Sequence, residues 1–186
     1  MKKALVILFD KVEEVEAIAP VDILRRARID VTTAALGESQ EIIGRSGISI
    51  DADELFEDAA AKCFDAVILP GGPGVYDILE MHPQDAEPLK NLIKKHIEDN
   101  KIVAAICAAP LVLEEMRLLN GKNCTAHDSV AGKIANVQVS RNVVRDGNLI
   151  TSRGAGTAIE FALEILSALT DAQTSADIAK SICFNK

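Results

Sequence analysis

The chain has little aromatic content: among its 186 residues it contains no tryptophan, one tyrosine and five phenylalanines. A core without large aromatic side chains has to be built from alanine, valine, isoleucine and leucine. Such a core is common in α/β proteins, and a chain of this length can bury a substantial one. We therefore expect a single domain over residues 1–186.

Long apolar segments and sorting signals are also lacking. The chain begins Met-Lys-Lys and passes directly into a strand-like segment, without a small-residue cleavage site. A membrane-spanning helix needs about 20 apolar residues, and a secretory signal needs both an apolar stretch and a cleavage site. We therefore predict no membrane association and a cytoplasmic location.

An excess of basic charge is absent as well, because the formal net charge at pH 7 is −8. Nucleic acids and anionic membranes are bound through basic surfaces. The charge balance therefore argues against both as partners, although it identifies no substrate.

The four cysteines lie far apart, at Cys63, Cys107, Cys124 and Cys183. They form no C-x-x-C pair and no cluster with the spacing of a zinc site. The glycine-rich residues 70–74 lack the lysine of a phosphate-binding loop and the spacing of a dinucleotide fingerprint. We therefore predict free thiols in a reducing compartment, with no metal and no cofactor.

Short apolar runs alternate with amphipathic segments along the chain. The runs at residues 4–9, 64–69 and 102–106 are typical of strands buried on both faces of a parallel sheet. Residues 15–28 and 87–99 carry apolar side chains at helical spacing. This alternation predicts an α/β protein, a three-layer α/β/α sandwich on a mostly parallel sheet.

The remaining segments predict a second set of elements. A two-residue Asp-Gly turn at 146–147 indicates a hairpin. The set comprises strands at 30–36 and 123–126, a hairpin of 137–144 with 148–151, one or two short antiparallel strands within 40–51, and helices at 53–61, 111–119, directly after 156 and at 172–183.

Cys107 lies where the apolar run 102–106 passes into a helical segment. A sharp strand-to-helix turn lifts a side chain out of the core, as in the nucleophile elbow of α/β hydrolases. The helix N-terminus then directs N–H groups at the sulfur and favours the thiolate, the reactive form. The alternative is that Cys107 is a small buried hydrophobic residue.

Gly71 and Gly72 follow the run 64–69 and would let the backbone approach a reacting group closely. Together with the N–H of Ala108, their N–H groups could stabilise an oxyanion or a sulfinate. The alternative is a tight turn without a chemical role.

The three histidines have different surroundings. His82 is predicted in a loop and solvated, and His96 at the edge of an apolar helix face, packed or hydrogen-bonded. His127 follows a predicted strand end, where it could meet Cys107 as a general base or proton shuttle.

Three acids, Glu13, Glu14 and Glu16, precede or begin the first helix. Negative charge is favourable at a helix N-terminus, so all three could be solvated. In the functional alternative, one of them is buried and protonated and hydrogen-bonds the cysteine sulfur, with its pKa raised by burial.

The ordered set of motifs resembles the ThiJ/PfpI superfamily, in the DJ-1-like branch that contains the Parkinson-disease-associated protein and bacterial relatives. The resemblance covers nearly the whole chain. The matching motifs are A-L-V-I-L near Leu5, E-E-V-E at Glu13, P-V-D-I-L-R-R at Pro20, L-P-G-G at Leu69, A-A-I-C-A-A-P around Cys107 and T-S-R-G-A-G-T-A at Thr151.

This resemblance implies a flavodoxin-like fold, usually assembled as a homodimer, and assigns roles to individual residues. Cys107 matches the family's reactive cysteine, Glu16 the glutamate that hydrogen-bonds its thiol, and His127 the pocket histidine. Gly72 and Ala108 match the oxyanion-type backbone donors.

Two positions depart from related patterns. The peptidase-like branch has histidine directly after the reactive cysteine, where this chain has Ala108, which weighs against protease-like chemistry. Arg45 is offset by one residue from a pocket arginine of relatives, so strand alternation could turn its side chain away from the site.

The leading functional prediction is a cysteine-dependent enzyme that acts on methylglyoxal, glyoxal or their adducts without a cofactor. It would resemble a glyoxalase III or a protein deglycase and protect against carbonyl and oxidative stress. The alternative is a redox sensor or chaperone whose Cys107 is oxidised to sulfinate. A third reading, a cysteine hydrolase or amidase, is disfavoured by Ala108.

Overall fold

A computed structural model describes residues 1–184 and shows a seven-stranded sheet of order β5-β2-β1-β6-β7-β9-β8. All neighbouring pairs are parallel except β8 with β9. The strands are β1 Lys3–Leu8, β2 Asp30–Ala35, β3 Glu41–Ile43, β4 Ser49–Asp51, β5 Glu54–Leu55, β6 Ala66–Leu69, β7 Ile102–Ile106, β8 Val143–Asp146 and β9 Leu149–Ser152. Strands β3 and β4 form a separate antiparallel hairpin.

Helices connect the parallel strands and cover the sheet. They are α1 Glu14–Arg26, α2 Phe56–Ala60, α3 Gly74–Glu80, α4 Pro83–Glu98, α5 Pro110–Glu115, α6 Asp128–Ala131, α7 Ala158–Leu169 and α8 Ala172–Ser181, with a short 3₁₀ turn at Ala155–Thr157. Helix α1 packs against α7, and α2 against α4.

The direction of the crossovers explains the three layers. From β1 the chain passes through α1 to β2 on one side, whereas from β6 it passes through α4 to β7 on the other. Because such crossovers are right-handed, opposite directions place their helices on opposite faces of the sheet. The predicted α/β/α sandwich on a mostly parallel sheet is confirmed.

The centre of the core consists of aliphatic strands buried on both faces. Every residue of β6 and β7 is buried, as is every residue of β1 after Lys3. These strands correspond to the apolar runs expected there. Since β1, β6 and β7 are adjacent, the segments that follow them meet at one edge of the sheet.

Several predicted elements need correction. The predicted strand at 123–126 is reduced to an isolated bridge between Cys124 and Val137. In the predicted strand 137–144, regular pairing begins only at Val143. Within the predicted helix 53–61, residues 54 and 55 instead form strand β5, which pairs with β2 at the edge of the sheet.

The helix boundaries also differ from the prediction. Helix α5 ends at Glu115 rather than near residue 119, and α4 begins at Pro83 because proline is well suited to a first helical turn. Helix α3 was not predicted, since its start lies inside the glycine-rich segment. None of the helices within residues 1–184 is long and apolar enough to cross a bilayer.

Candidate active site

Cys107 occupies a strained elbow directly after β7. Its φ angle is 65°, a left-handed conformation that non-glycine residues rarely adopt. The strain is held by hydrogen bonds on both sides, because the Cys107 N–H donates to the Ser152 carbonyl at 2.9 Å and its carbonyl accepts from the His127 N–H at 2.9 Å. Backbone strain of this kind costs about 1–3 kcal/mol and is typical of functional sites.

Glu16 extends from the first turn of α1 into the interior, where only 1% of the residue is exposed. Its Oε2 accepts a hydrogen bond from the Gly71 N–H at 2.8 Å, and its carboxyl interacts with the Cys107 thiol. Its Oε1 has no hydrogen-bond partner among the described residues. A buried carboxyl oxygen without a partner is costly, so this oxygen can take part in chemistry.

Gly71 allows the thiol and the carboxyl to come together. A Cβ atom at this position would lie 2.5 Å from the Cys107 Cβ and 2.7 Å from Glu16 Oε2. Any side chain would displace one or both partners. The absence of a side chain at Gly71 therefore lets Cys107 and Glu16 lie close together, and the Gly71 N–H donates to Glu16.

The N–H groups of Gly72 and Ala108 are directed at the Cys107 sulfur. Gly72 has a φ angle of 108°, and a Cβ there would lie 2.4 Å from the Lys11 carbonyl oxygen, so this turn requires glycine. The three predicted backbone donors are thus divided: Gly72 and Ala108 face the sulfur, and Gly71 faces the carboxyl.

Burial changes the acidity of both side chains. It raises the pKa of Glu16 to about 7, against the lowering effect of the Gly71 hydrogen bond. Burial, followed by the charge and hydrogen bond of Glu16, raises the pKa of Cys107 to about 12, although the N–H groups of Gly72 and Ala108 lower it. The N–H group at the start of the helix favours the thiolate in the expected direction, but burial and Glu16 outweigh it.

Above pH 7, where most Glu16 carboxyls have lost their proton, the pair holds one proton, and the higher pKa of Cys107 places it mainly on sulfur. With the proton on sulfur, Cys107 is an unreactive thiol beside a carboxylate. With the proton on Glu16, the sulfur is a thiolate held by two backbone N–H groups and a carboxyl O–H. The pair can therefore supply a nucleophile and an acid in the same step.

His127 lies beside this pair and is the N-cap residue of α6. Its ring borders Gly154: a Cβ on Gly154 would lie 3.3 Å from His127 Cδ2 and 3.8 Å from Glu16 Oε1. The ring nitrogen Nδ1 is 2.8 Å from Ser129 Oγ and 3.2 Å from the Ser129 nitrogen. Ser129 was not identified from the sequence, because a lone serine outside every predicted element carries no signal.

The other two histidines lie in the surroundings predicted for them: His96 is packed and hydrogen-bonded, and His82 is exposed. His96 is 3% exposed and its Nδ1 lies 2.8 Å from the Leu92 carbonyl oxygen. His82 is exposed at the start of α4 and makes no side-chain cap there. Neither lies with the Cys107 pair in the part of the chain described.

Arg45 makes an ion pair with Glu13 at 2.9 Å, with Glu13 the more buried partner. Its charge is also close enough to lower the pKa of Glu16. The one-residue offset therefore does not remove Arg45 from the neighbourhood of the site. Its use as a substrate contact stays a prediction.

The remaining cysteines are isolated from the Cys107 site. Cys63 and Cys183 are exposed, whereas Cys124 is buried and its thiol donates to the Ala135 carbonyl at 3.7 Å. Over residues 1–184, no group of three or more histidine, cysteine, aspartate or glutamate side chains is placed to hold a metal ion.

Comparison with protein families and curated proteins gives one consistent result. The model of the DJ-1/PfpI family matches residues 2–168. The chain is 39% identical over 179 residues to protein DJ-1 homolog B of Arabidopsis thaliana, covering 95% of this chain but only 40% of that protein. It is 37% identical over 184 residues to protein dj-1beta of Drosophila melanogaster, with 97% and 96% covered.

Two further similarities bear on chemistry. Glutathione-independent glyoxalase DJR-1.2 of Caenorhabditis elegans is 33% identical over 190 residues, with 100% of this chain and 98% of that protein covered. Among solved structures, oxidized Toxoplasma gondii DJ-1 superposes with a TM-score of 0.92 at 28% identity, covering 100% of both chains.

Proposed function

The chain belongs to the DJ-1/PfpI family, and from this premise we propose that it is a cysteine-dependent glyoxalase that needs no glutathione. Its proposed substrates are methylglyoxal, glyoxal and their early adducts, so that deglycase-like release of the aldehyde belongs to the same proposal. A reducing cytoplasm, which keeps Cys107 a free thiol, is the compartment that this chemistry requires.

One observation carries the proposal: a buried carboxyl with a raised pKa interacts with a strained cysteine and has one oxygen without a partner among the described residues. Such a carboxyl can first give a proton and then take one, which is what rearrangement of an α-oxoaldehyde needs. The glyoxalase name of the Caenorhabditis elegans relative supports the same choice.

The first half of the reaction forms a covalent adduct. The Cys107 thiolate attacks the aldehyde carbon of methylglyoxal, the carbonyl electron pair moves to its oxygen, and the Glu16 carboxyl protonates that oxygen. The product is a hemithioacetal, with Glu16 now a carboxylate. The N–H groups of Gly72 and Ala108 face the sulfur. In this proposal they also stabilise the negative charge that develops on the carbonyl oxygen.

The second half moves hydrogen between neighbouring carbons. The Glu16 carboxylate takes the C1 proton, giving an enediolate with its negative charge on the C2 oxygen. Glu16 then returns this proton to C2, the proton of the C1 hydroxyl passes to the C2 oxygen, and C1 becomes the thioester carbonyl. Water then attacks the thioester, the C–S bond breaks, and the proton shared by Cys107 and Glu16 is restored. The net change is methylglyoxal plus water to lactate and a proton.

The direct test is lactate formation from methylglyoxal in the absence of glutathione, followed by NMR. Cys107→Ser should reduce the rate by at least about 10³-fold, because the nucleophile is lost. Cys63→Ser, which changes an exposed cysteine without a shared carboxyl, is the matched control and should keep wild-type activity. Equal activity of wild type and Cys107→Ser would contradict the proposal.

A second candidate function, redox sensing, is supported by the two N–H groups at the sulfur. They could hold the oxygens of a Cys107 sulfinate, and an oxidized relative superposes on this chain. Under mild peroxide, mass spectrometry should find two added oxygens mainly on Cys107. Equal oxidation of all four cysteines would remove this candidate.

We also propose that the protein is a homodimer through α1 and the β3–β4 hairpin. Four large apolar side chains are exposed there, with 51% of Val15, 44% of Ile18, 46% of Ile43 and 55% of Ile48 accessible. The hairpin is joined to the start of α1 by the hydrogen bond from the Arg45 N–H to the Val12 carbonyl. Sedimentation of Ile18→Glu should show a monomer where wild type shows a dimer.

A further inference from the structure

His127 is held by two donors that come from a single residue. It is the N-cap of α6, and its Nδ1 accepts a hydrogen bond from the Ser129 backbone N–H at 3.2 Å. Ser129 Oγ lies 2.8 Å from the same nitrogen. A backbone N–H can only donate, so Nδ1 must be an acceptor without a proton. The hydrogen-bond pattern therefore assigns the ring proton of neutral His127 to Nε2.

We propose that Ser129 is a positioning residue that fixes His127 as the Nε2–H tautomer, so that His127 donates a hydrogen bond to the substrate's ketone oxygen and does not act as a base. This inference rests on the proposed glyoxalase function and deepens it. Glu16 is then the group that moves the proton between C1 and C2, and His127 stabilises the negative charge that develops on the C2 oxygen.

The position of the ring supports this role. Nε2 is bonded to Cδ2, and Cδ2 faces Gly154 on the side where Glu16 Oε1 also approaches that glycine. His127, Arg153, Gly154 and Thr157 border a cavity of about 350 Å³. Cδ2, the carbon next to Nε2, is thus the ring atom nearest Gly154, which Glu16 Oε1 approaches as well, and the edge without a proton is occupied by Ser129.

His96 provides an internal contrast. Its Nδ1 lies 2.8 Å from the Leu92 carbonyl oxygen, and a carbonyl can only accept. This contact favours a proton on Nδ1 of His96, the opposite tautomer to His127. His82, which makes no side-chain cap at the start of α4, has no such constraint.

Long-range ¹H–¹⁵N NMR of the ¹⁵N-labelled protein at pH 8 distinguishes the two tautomers directly. We expect His127 to show the Nε2–H pattern, His96 the Nδ1–H pattern, and His82 an averaged pattern. Spectra of His127→Gln and His82→Gln assign the signals. An Nδ1–H pattern for His127 would overturn the inference, whether or not the protein turns over methylglyoxal.

Kinetics test the link between Ser129 and catalysis. Ser129→Ala removes one donor to Nδ1 and should lower kcat for lactate formation about fivefold, as expected for one hydrogen bond, with KM unchanged. Ser129→Thr, which keeps the hydroxyl, should restore kcat. Ser39→Ala is the control, because Ser39 Oγ likewise contacts a residue two positions away, where it accepts from the Glu41 N–H. The His127 tautomer should stay the same in Ser129→Ala, because the backbone N–H of residue 129 is kept. Unchanged kcat in this variant would overturn the assigned role of the Ser129 hydroxyl.

Two variants of His127 separate a donor from a base. Glutamine keeps an N–H donor at similar reach but cannot take a proton, whereas leucine has neither property. If His127 donates, His127→Leu should lose about 100-fold in kcat, the effect of removing one donor to an oxyanion, and His127→Gln clearly less. Equal losses would overturn the donor role. Failure of wild type to form lactate would overturn the proposed function and with it the donor role, while the NMR spectrum alone decides the tautomer.

Discussion

Cys107 and Cys124 make an instructive comparison, because each is a cysteine near a glutamate. Burial and then the charge of Glu16 raise the pKa of Cys107. Burial and then the charge of Glu114 raise the pKa of Cys124. Proximity to a carboxylate is therefore common to both and cannot be what makes one of them reactive.

The difference lies in the backbone around each sulfur. At Cys107, the N–H groups of Gly72 and Ala108 face the sulfur and stabilise negative charge. At Cys124, the sulfur faces the carbonyl oxygen of Ala135 at 3.7 Å, which stabilises the thiol instead. Cys124 is also fully buried, whereas Cys107 is not.

The comparison shows what the strained elbow contributes. A φ angle of 65° turns the Cys107 side chain towards the ends of β1 and β6, where Gly72 and Glu16 lie. Cys124 lies on an isolated bridge and has no such turn. We therefore propose that the reactivity of Cys107 depends on the direction of backbone dipoles together with a carboxyl that can exchange a proton.

The largest effect should come from separating the pair at Cys107. Gly71→Ala places a methyl group 2.5 Å from the Cys107 Cβ and 2.7 Å from Glu16 Oε2, so one of them must move. A displacement of about 1 Å in a catalytic group costs about 100-fold in rate. We expect kcat/KM for lactate formation to fall by that factor.

Gly132→Ala is the matched control for this substitution. Gly132 has an ordinary φ of −68°, and nothing lies within 4 Å of a Cβ placed there. Its alanine variant should keep wild-type kinetics and stability. Wild-type activity in Gly71→Ala would show that the close approach of thiol and carboxyl is dispensable.

The next effect concerns stability. Since the pKa of Glu16 is raised from 4.5 to about 7, the folded protein keeps a proton that the unfolded chain releases between these pH values. Stability from this group therefore falls as pH rises through that window, by about 3 kcal/mol at 1.4 kcal/mol per unit. Glu16→Gln should raise the free energy of unfolding at pH 8 by up to about 3 kcal/mol, with the gain shrinking towards pH 5.

Glu14, two residues earlier in α1, is a control of opposite sign. Burial acts to raise its pKa, but backbone hydrogen bonds, including one from the Ser46 N–H at 2.7 Å, outweigh burial and lower it. Its charge stabilises the fold above its unfolded pKa, so Glu14→Gln should destabilise the protein at pH 8. Urea unfolding at pH 5 and pH 8 measures both variants, and destabilisation by Glu16→Gln at pH 8 would contradict the account.

The smallest effect is expected at the second pair. Glu114→Gln removes the negative charge near Cys124 but leaves the Ala135 carbonyl and the burial unchanged. Cys124 should stay unlabelled by iodoacetamide in the native protein, as in wild type, with peptide mass spectrometry as the readout. Rapid labelling of Cys124 in this variant would mean that the carboxylate, not the backbone, determines reactivity.

The fold could be predicted from sequence where the pattern was strong. The apolar runs that became β1, β6 and β7 are buried on both faces, so their residues carry an unmistakable signal. The region 123–142 could not be predicted well, because its contacts are long-range. The Thr125 hydroxyl bonds the carbonyls of Gln138 and Arg141, for example, in place of a regular strand.

The site was only partly predictable for a related reason. Cys107 follows from the strand-to-helix switch, but Glu16 could be selected from three acids only through the family resemblance. The raised pKa of Cys107 was not foreseen, because burial and the facing carboxylate come from other segments. Ser129 was missed because its role depends on which nitrogen of His127 it faces.

The central claim, that Cys107 and Glu16 share one reactive proton, is tested most directly by the pH dependence of kcat/KM for lactate formation. The account predicts a rate that rises with pH around an apparent pKa near 7, since the fully protonated pair lacks a nucleophile. In Glu16→Gln this rise near pH 7 should be absent, along with most of the activity. A rise near pH 7 of the same size in both proteins, or none in wild type, would contradict the account.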